Sequence, residues 1–171
     1  MTPVTVRRFN PIPWLGAPMA LAAGASLIFA LPLQVFGLRL PEPVFALVPA
    51  FAWAIARPSV LAPFAVLGLG LFLDLLWGGP LGLWPLALLC AYALVLATGT
   101  FLSARDSWTL WAWYAGACAI ALGAGVLLTY LTAGVVPNLV GVAWQFAATV
   151  VLFPFANRLI GRYEDADVRF R

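Results

Sequence analysis

The sequence contains no histidine and no lysine, and its charged residues are few. Only 9% of the 171 residues are charged, and all nine basic residues are arginines. Soluble domains carry about 25% charged residues, so this set cannot cover a water-facing surface. The absence of histidine removes the usual general base and the commonest zinc ligand. We therefore expect neither a soluble enzyme nor a zinc site.

Cysteine is also scarce, with only Cys90 and Cys118, and both lie inside apolar runs. Two such thiols make neither a disulfide framework nor a metal site, and buried free cysteines are usually packing residues. The net charge of +3 is ordinary for a membrane protein, whose cytoplasmic loops collect basic residues. We expect no metal, no cofactor and no nucleic-acid partner.

What the sequence does contain is apolar residues, which make up 64% of the chain. A helix needs about 20 apolar residues to cross a bilayer. Short polar or proline-rich breaks divide the chain into six apolar runs, which predicts an all-α polytopic bundle between a tail at 1–13 and a tail at 161–171. The second run is short, so it must recruit Glu42 or Pro41, tilt little, or not quite cross the bilayer, and Pro43 suits its first turn. The predicted helices are 14–36, 44–56, 60–77, 80–101, 108–132 and 139–160.

The arginines predict the orientation of these six helices. If both termini lie on one side of the membrane, eight arginines share that side and only Arg39 lies on the other. Such an excess marks the cytoplasmic side, so both termini are predicted to be cytoplasmic. The eight are Arg7, Arg8, Arg57, Arg105, Arg158, Arg162, Arg169 and Arg171.

Asp74 is the only acid inside a predicted span. Burying an ionised side chain in hydrocarbon is costly, so such a residue is a functional candidate. Asp74 lies near the end of the third span, where interfacial water is within reach. The favoured interpretation is that it caps the amides of the next helix near Leu81 and Gly82, or contacts a partner with the same geometry; the alternative is a proton or ion relay. For Gln145, in the sixth span, we expect interhelical hydrogen bonding.

A row of small residues frames this acid, because Gly70, Asp74 and Gly78 recur every four positions and Gly82 continues the row. Residues 70–83 read GLFLDLLWGGPLGL. This stretch resembles the signature of the MreD family, whose places are filled here by Gly70, Asp74, Gly78, Pro80, Leu81, Gly82 and Leu83. The resemblance covers residues 43–86, where Pro43, Trp53, Arg57, Pro58 and Pro63 are similar to the family's second helix and its exit.

The resemblance implies a non-enzymatic subunit of the bacterial rod-shape and cell-elongation machinery in the inner membrane. Such a subunit binds the single-span scaffold MreC. It thereby links the actin-like MreB to the glycosyltransferase RodA and its class B transpeptidase partner. The family's six-helix bundle is similar to the substrate-binding subunits of energy-coupling-factor vitamin transporters, so a small-molecule transport subunit is the alternative function.

Our mechanistic hypothesis places the partner at the third and fourth helices. Their glycine-thin face, around Gly70, Gly78 and Gly82, would receive a partner helix, while Asp74 would bind that partner or pin the hairpin that shapes the groove. A transporter would instead need convergent polar groups around a cavity. The candidates for such groups are few: Asp74, Tyr130, Asn138 and Gln145.

Overall fold

The computed structural model describes residues 12–30, 34–35, 38–39, 42–56, 58–102 and 106–168. The described residues are helical apart from turns and one pair of two-residue strands, so the all-α prediction is confirmed. The strands are antiparallel, with Gln34 opposite Arg39. The elements are α1 (Ile12–Phe29), β1 (Gln34–Val35), β2 (Leu38–Arg39), α2 (Leu47–Ala56), α3 (Ala62–Trp77), α4 (Leu83–Leu102), α5 (Ser107–Ala133), α6 (Leu139–Val150) and α7 (Phe153–Val168).

The first helix is shorter than its sequence predicts. We expected residues 14–36 to be helical, but α1 ends at Phe29 and the segment at Gln34–Val35 is a strand. The sequence supplies the reason at Pro32, which lacks an amide hydrogen and disfavours the helical conformation of the residue before it. The apolar run extends beyond the helix because hydropathy measures side-chain polarity and does not detect the constraint that a proline places on the backbone.

The short helix α2 lies at the centre of the molecule. It packs against α4 and α7, and it also contacts α1, α3 and α5. Trp53 and Ala52 are fully buried, and Phe51 is 2% exposed. A helix that is apolar on all sides belongs inside a bundle. Its start was predicted at residue 44 with Pro43 in the first turn, but the helix begins at Leu47 and turns precede it.

The sixth predicted helix is two helices in the structure. α6 ends at Val150, a turn follows at Val151 and Leu152, and α7 begins at Phe153. Pro154 explains the break, because its ring would clash with the carbonyl of Val150 in a continuous helix. The predicted tail from residue 161 is helical as far as Val168.

Among the described residues, two helical stretches are long and apolar enough to cross a membrane by length and composition, Ser107–Ala133 and Leu139–Arg162. The second spans the break between α6 and α7. The remaining apolar helices are shorter: Trp14–Phe29, Leu47–Ala56, Ala62–Trp77 and Leu83–Gly99. The composition and these helices together indicate a membrane protein.

Candidate functional site

The turn between α3 and α4 is organised by Asp74. α3 ends because Gly78 adopts a left-handed conformation, with φ of 65°, which costs little only for glycine. The Asp74 carbonyl accepts the amide hydrogens of both Gly78 and Gly79, the latter at 3.1 Å. This arrangement satisfies a carbonyl that a helix end otherwise leaves unpaired. The chain is thereby reversed within a few residues.

The Asp74 side chain closes the same turn from the other side. One carboxylate oxygen accepts the Gly82 amide at 2.6 Å, and the other accepts the Trp84 amide at 2.9 Å. The first amides of a helix lack partners and its N-terminus favours negative charge, so a carboxylate is well placed there. The interpretation of Asp74 as a helix cap is confirmed. The capped amides are those of Gly82 and Trp84, whereas Gly82 and Leu81 were expected. Asp74 is only 1% exposed, so the expected contact with interfacial water is not found.

Gly70 is where α3 and α4 come closest. A Cβ atom added at Gly70 would collide with the backbone N and Cα atoms of Pro85. The two helices are therefore in backbone contact, which requires glycine at this position. The face of α3 that carries Gly70 is filled by α4 of the same chain, so a partner helix cannot approach it there.

The other predicted site residues have backbone roles in the turn. Gly82 has a φ of 99°, which only glycine adopts readily. The carbonyl of Pro80 accepts the Leu83 amide at 3.2 Å, just before α4 begins. Cβ atoms added at Gly78, Gly79 or Gly82 would meet nothing within 4 Å. This side of the turn is open, in contrast to Gly70.

Two tryptophans and Glu42 extend the site. Trp77 and Trp84 meet edge to face, with ring centroids 4.7 Å apart. The indole N–H of Trp77 donates to the Glu42 carboxylate at 2.7 Å. Sequence reasoning treated Glu42 only as an extension of the second helix. The signal that could have identified Glu42 is its isolation, since it is the one acid in the break before α2.

A chain of polar contacts connects Glu42 to α6. The Gln145 side-chain amide donates to the Glu42 carbonyl at 3.0 Å. The Thr149 hydroxyl donates to the Gln145 carbonyl at 2.7 Å and accepts the Val44 amide at 3.0 Å. The prediction that Gln145 bonds across elements is confirmed, although its partner is the segment before α2 and not another helix. Thr149, which is fully buried, was missed.

Three of the four polar residues expected for a transport cavity are engaged with backbone groups. Asp74 and Gln145 bind backbone groups, and the Asn138 side chain caps α6 by accepting the Val140 amide at 3.1 Å. Tyr130 is 52% exposed near the end of α5. Over the described ranges, no group of three or more His, Cys, Asp or Glu residues could hold a metal ion. The site is thus a structural turn with an open glycine edge.

Comparison with known proteins found no match among family models, curated proteins or solved structures. The interpretation of the chain therefore depends on residues 70–83 and on the geometry that they adopt.

Proposed function

We propose that this chain is a multi-pass inner-membrane scaffold of the bacterial cell-elongation complex. In this proposal it is non-enzymatic, crosses the membrane six times with both termini in the cytoplasm, and binds MreC directly. MreB, RodA and the class B transpeptidase partner of RodA belong to the same complex. The observation that carries the proposal is the α3–α4 turn, because the residues that resemble the MreD signature are the ones that build it.

Six crossings are compatible with helices shorter than a bilayer. α2 has 10 residues, which is about 15 Å of helix. Backbone that is not helical is tolerated at membrane depth when protein surrounds it, and α2 is enclosed by its neighbours. α6 and α7 together supply one crossing with a proline break. The distribution of arginines supports cytoplasmic termini.

The chemistry at Asp74 favours a scaffold over a catalyst. Both carboxylate oxygens accept backbone amides, so the residue holds the turn in place. Proton transfer would require its carboxylate to reach a reacting group, and the side chain is 1% exposed. Of the two roles hypothesised for Asp74, we therefore propose the second. Asp74 pins the hairpin that shapes the docking surface and does not touch the partner.

The docking surface in this proposal is the outward face of α3 beside the open turn. Leu67, Leu71 and Leu75 recur every four residues on α3 and are 39%, 39% and 74% exposed. Helices associate in lipid where small residues allow close approach, and Gly78 and Gly82 have open space beside them. A single transmembrane helix of MreC fits this combination of an apolar stripe and an open glycine edge.

Affinity co-purification from native membranes in mild detergent tests the proposal, with mass spectrometry of the bound proteins. We expect the wild type to recover MreC and the Asp74→Ala and Leu75→Trp variants to recover less at equal expression. Asp106→Ala is the matched control, because Asp106 precedes α5 without forming a side-chain cap. Recovery of an ATPase pair with a coupling subunit, and no MreC, would overturn the proposal in favour of the transport alternative.

A further inference from the structure

A separate groove lies between α1, α2 and α7, away from the α3–α4 turn. Its volume is about 510 Å³, in the range of small-molecule sites. Leu21 and Ala25 of α1 form one wall, Val48 of α2 lies between the helices, and Phe155 and Leu159 of α7 form the other wall. The groove is therefore apolar over most of its lining.

Two arginines, Arg158 and Arg162, are the charged residues among the described part of the lining. They are four positions apart and so lie on one face of α7. At a rise of 1.5 Å per residue, Arg162 lies about 10 Å beyond Phe155 along the helix axis. Arg162 is thus the last described lining residue along α7, and Arg158 lies one turn before it, between Phe155 and Leu159.

The helical neighbours of Arg158 do not neutralise it. The residues three and four positions away are Pro154, Phe155, Gly161 and Arg162, and none is acidic. Asp165 follows Arg162 by three positions, so an acid is within helical spacing of the second arginine only. Among the described residues that line the groove, none carries a carboxylate.

We propose that this groove binds an anionic phospholipid of the surrounding membrane. One acyl chain lies along the apolar walls, and the phosphate is bound by Arg158 and Arg162. Guanidinium groups bind phosphate through paired hydrogen bonds, and cations near a membrane surface attract anionic lipids. The inference depends on the membrane location but not on the scaffold role.

Other occupants fit less well. An apolar transmembrane helix would cover the walls of the groove but would supply no anion to Arg158 and Arg162. The segment at residues 1–11 carries Arg7 and Arg8 and no acid, so it would bring like charge to the two arginines. A phosphate with an apolar chain complements both parts of the lining.

Native mass spectrometry of the delipidated full-length protein tests this site. The probes are phosphatidylglycerol and phosphatidylcholine with identical acyl chains. We expect the wild type to bind phosphatidylglycerol on the order of tenfold more tightly, and the Arg158→Gln/Arg162→Gln double variant to lose that preference. Arg39→Gln is the charge control, because the distribution of arginines predicts Arg39 on the opposite side of the membrane from Arg158 and Arg162, and this variant should leave the preference unchanged.

A second pair of variants tests the apolar part. Ala25→Phe fills the groove and should weaken the binding of both lipids at least severalfold, whereas Leu127→Phe, at a 57% exposed position on α5, should not. Equal affinity of the wild type for both lipids would overturn the proposal, as would a preference that survives in the double variant. The proposal would also be overturned if the Ala25→Phe variant bound lipid like the wild type but no longer co-purified a single-span protein. That result would assign the groove to a partner helix.

The outcomes separate this inference from the proposed function. If the wild type shows no lipid preference and the Arg158→Gln/Arg162→Gln variant still recovers MreC, only the lipid site is ruled out. Release of the chain from membranes without detergent would remove the membrane location on which both depend.

Discussion

Asp74 forms hydrogen bonds with both ends of the turn that follows it. Its carbonyl accepts the backbone amides of Gly78 and Gly79, while its carboxylate accepts those of Gly82 and Trp84. A buried amide that loses its acceptor costs about 1–3 kcal/mol, so a single side chain controls a large part of the local stability.

We expect Asp74→Ala to lower the free energy of unfolding by about 2–4 kcal/mol, because two amides at the start of α4 lose their acceptor. Asp74→Asn should cost less, since its amide group keeps one acceptor oxygen. Unfolding titrations in mixed micelles measure the difference. Asp106→Ala should stay within about 0.5 kcal/mol of the wild type, and an equal effect of both alanine variants would contradict the role of Asp74.

Gly70 gives a second prediction at the residue scale. Gly70→Ala should destabilise the protein by about 1–3 kcal/mol, because the added methyl group meets the backbone of Pro85 and forces α3 and α4 apart. Gly116→Ala is the control in α5, where an added Cβ meets nothing within 4 Å. That variant should be neutral or slightly stabilising, since alanine favours a helix more than glycine does. Comparable losses in both would argue against the close contact.

Elements are joined by few polar contacts, and those at Glu42 connect three parts of the fold. Its carboxylate accepts a hydrogen bond from the indole N–H of Trp77 at the end of α3, and its carbonyl accepts one from the side-chain amide of Gln145 in α6. The segment before α2 is thereby held between the α3–α4 turn and α6. Because these contacts are partly buried, they hold the segment more firmly than exposed ones would.

Replacing Trp77 by Phe should lower the free energy of unfolding by about 1–2 kcal/mol, because the Glu42 carboxylate loses its donor while an aromatic ring remains against Trp84. Trp144→Phe is the matched control, since Trp144 is 65% exposed on α6. Thermal unfolding in detergent compares the two. A larger effect of Trp144→Phe would show that the contact with Glu42 contributes little.

The whole molecule is arranged around α2, whose ten residues are enclosed by longer helices. The enclosing helices expose apolar side chains such as Leu21, Leu131 and Phe155, which are 74%, 68% and 60% exposed. An outer surface of this kind suits lipid, which does not penalise exposed leucine. The apolar outer surface distinguishes the molecule from a soluble bundle. The centre does not, because it is apolar in both.

Cysteine labelling tests the proposed orientation of this molecule. In a variant with Cys90 and Cys118 replaced by alanine, Asn138→Cys should react with a membrane-impermeant maleimide once the outer membrane is permeabilised. Arg171→Cys should react only after the inner membrane is also opened. The expectation follows from the excess of arginine on one side. Labelling of both positions under the first condition would contradict a cytoplasmic C-terminus and the crossing between these two positions.

Much of the helical layout could be predicted from hydropathy. The limits of α3 and α5 agree with the predicted runs within two residues, because polar or glycine-rich breaks bound both. The errors occurred at Pro32 and Pro154, where a proline interrupts an apolar run without changing its hydropathy. At the site, local spacing sufficed for Asp74 and Gly82, whereas Glu42, Gln145 and Thr149 are brought together from segments about a hundred residues apart.

The sequence by itself determined that the protein is helical, apolar and suited to a membrane, while for Asp74 it left a helix cap, a partner contact and a relay open. Those properties depend on composition and on neighbours along the chain, which the sequence displays directly. Only the tertiary structure decided that α2 is the central helix, that Gly70 faces Pro85, and that two arginines of α7 border a groove beside α1. These features depend on which faces pack together, and in a chain that is apolar on nearly every face the hydrophobic pattern does not specify that choice.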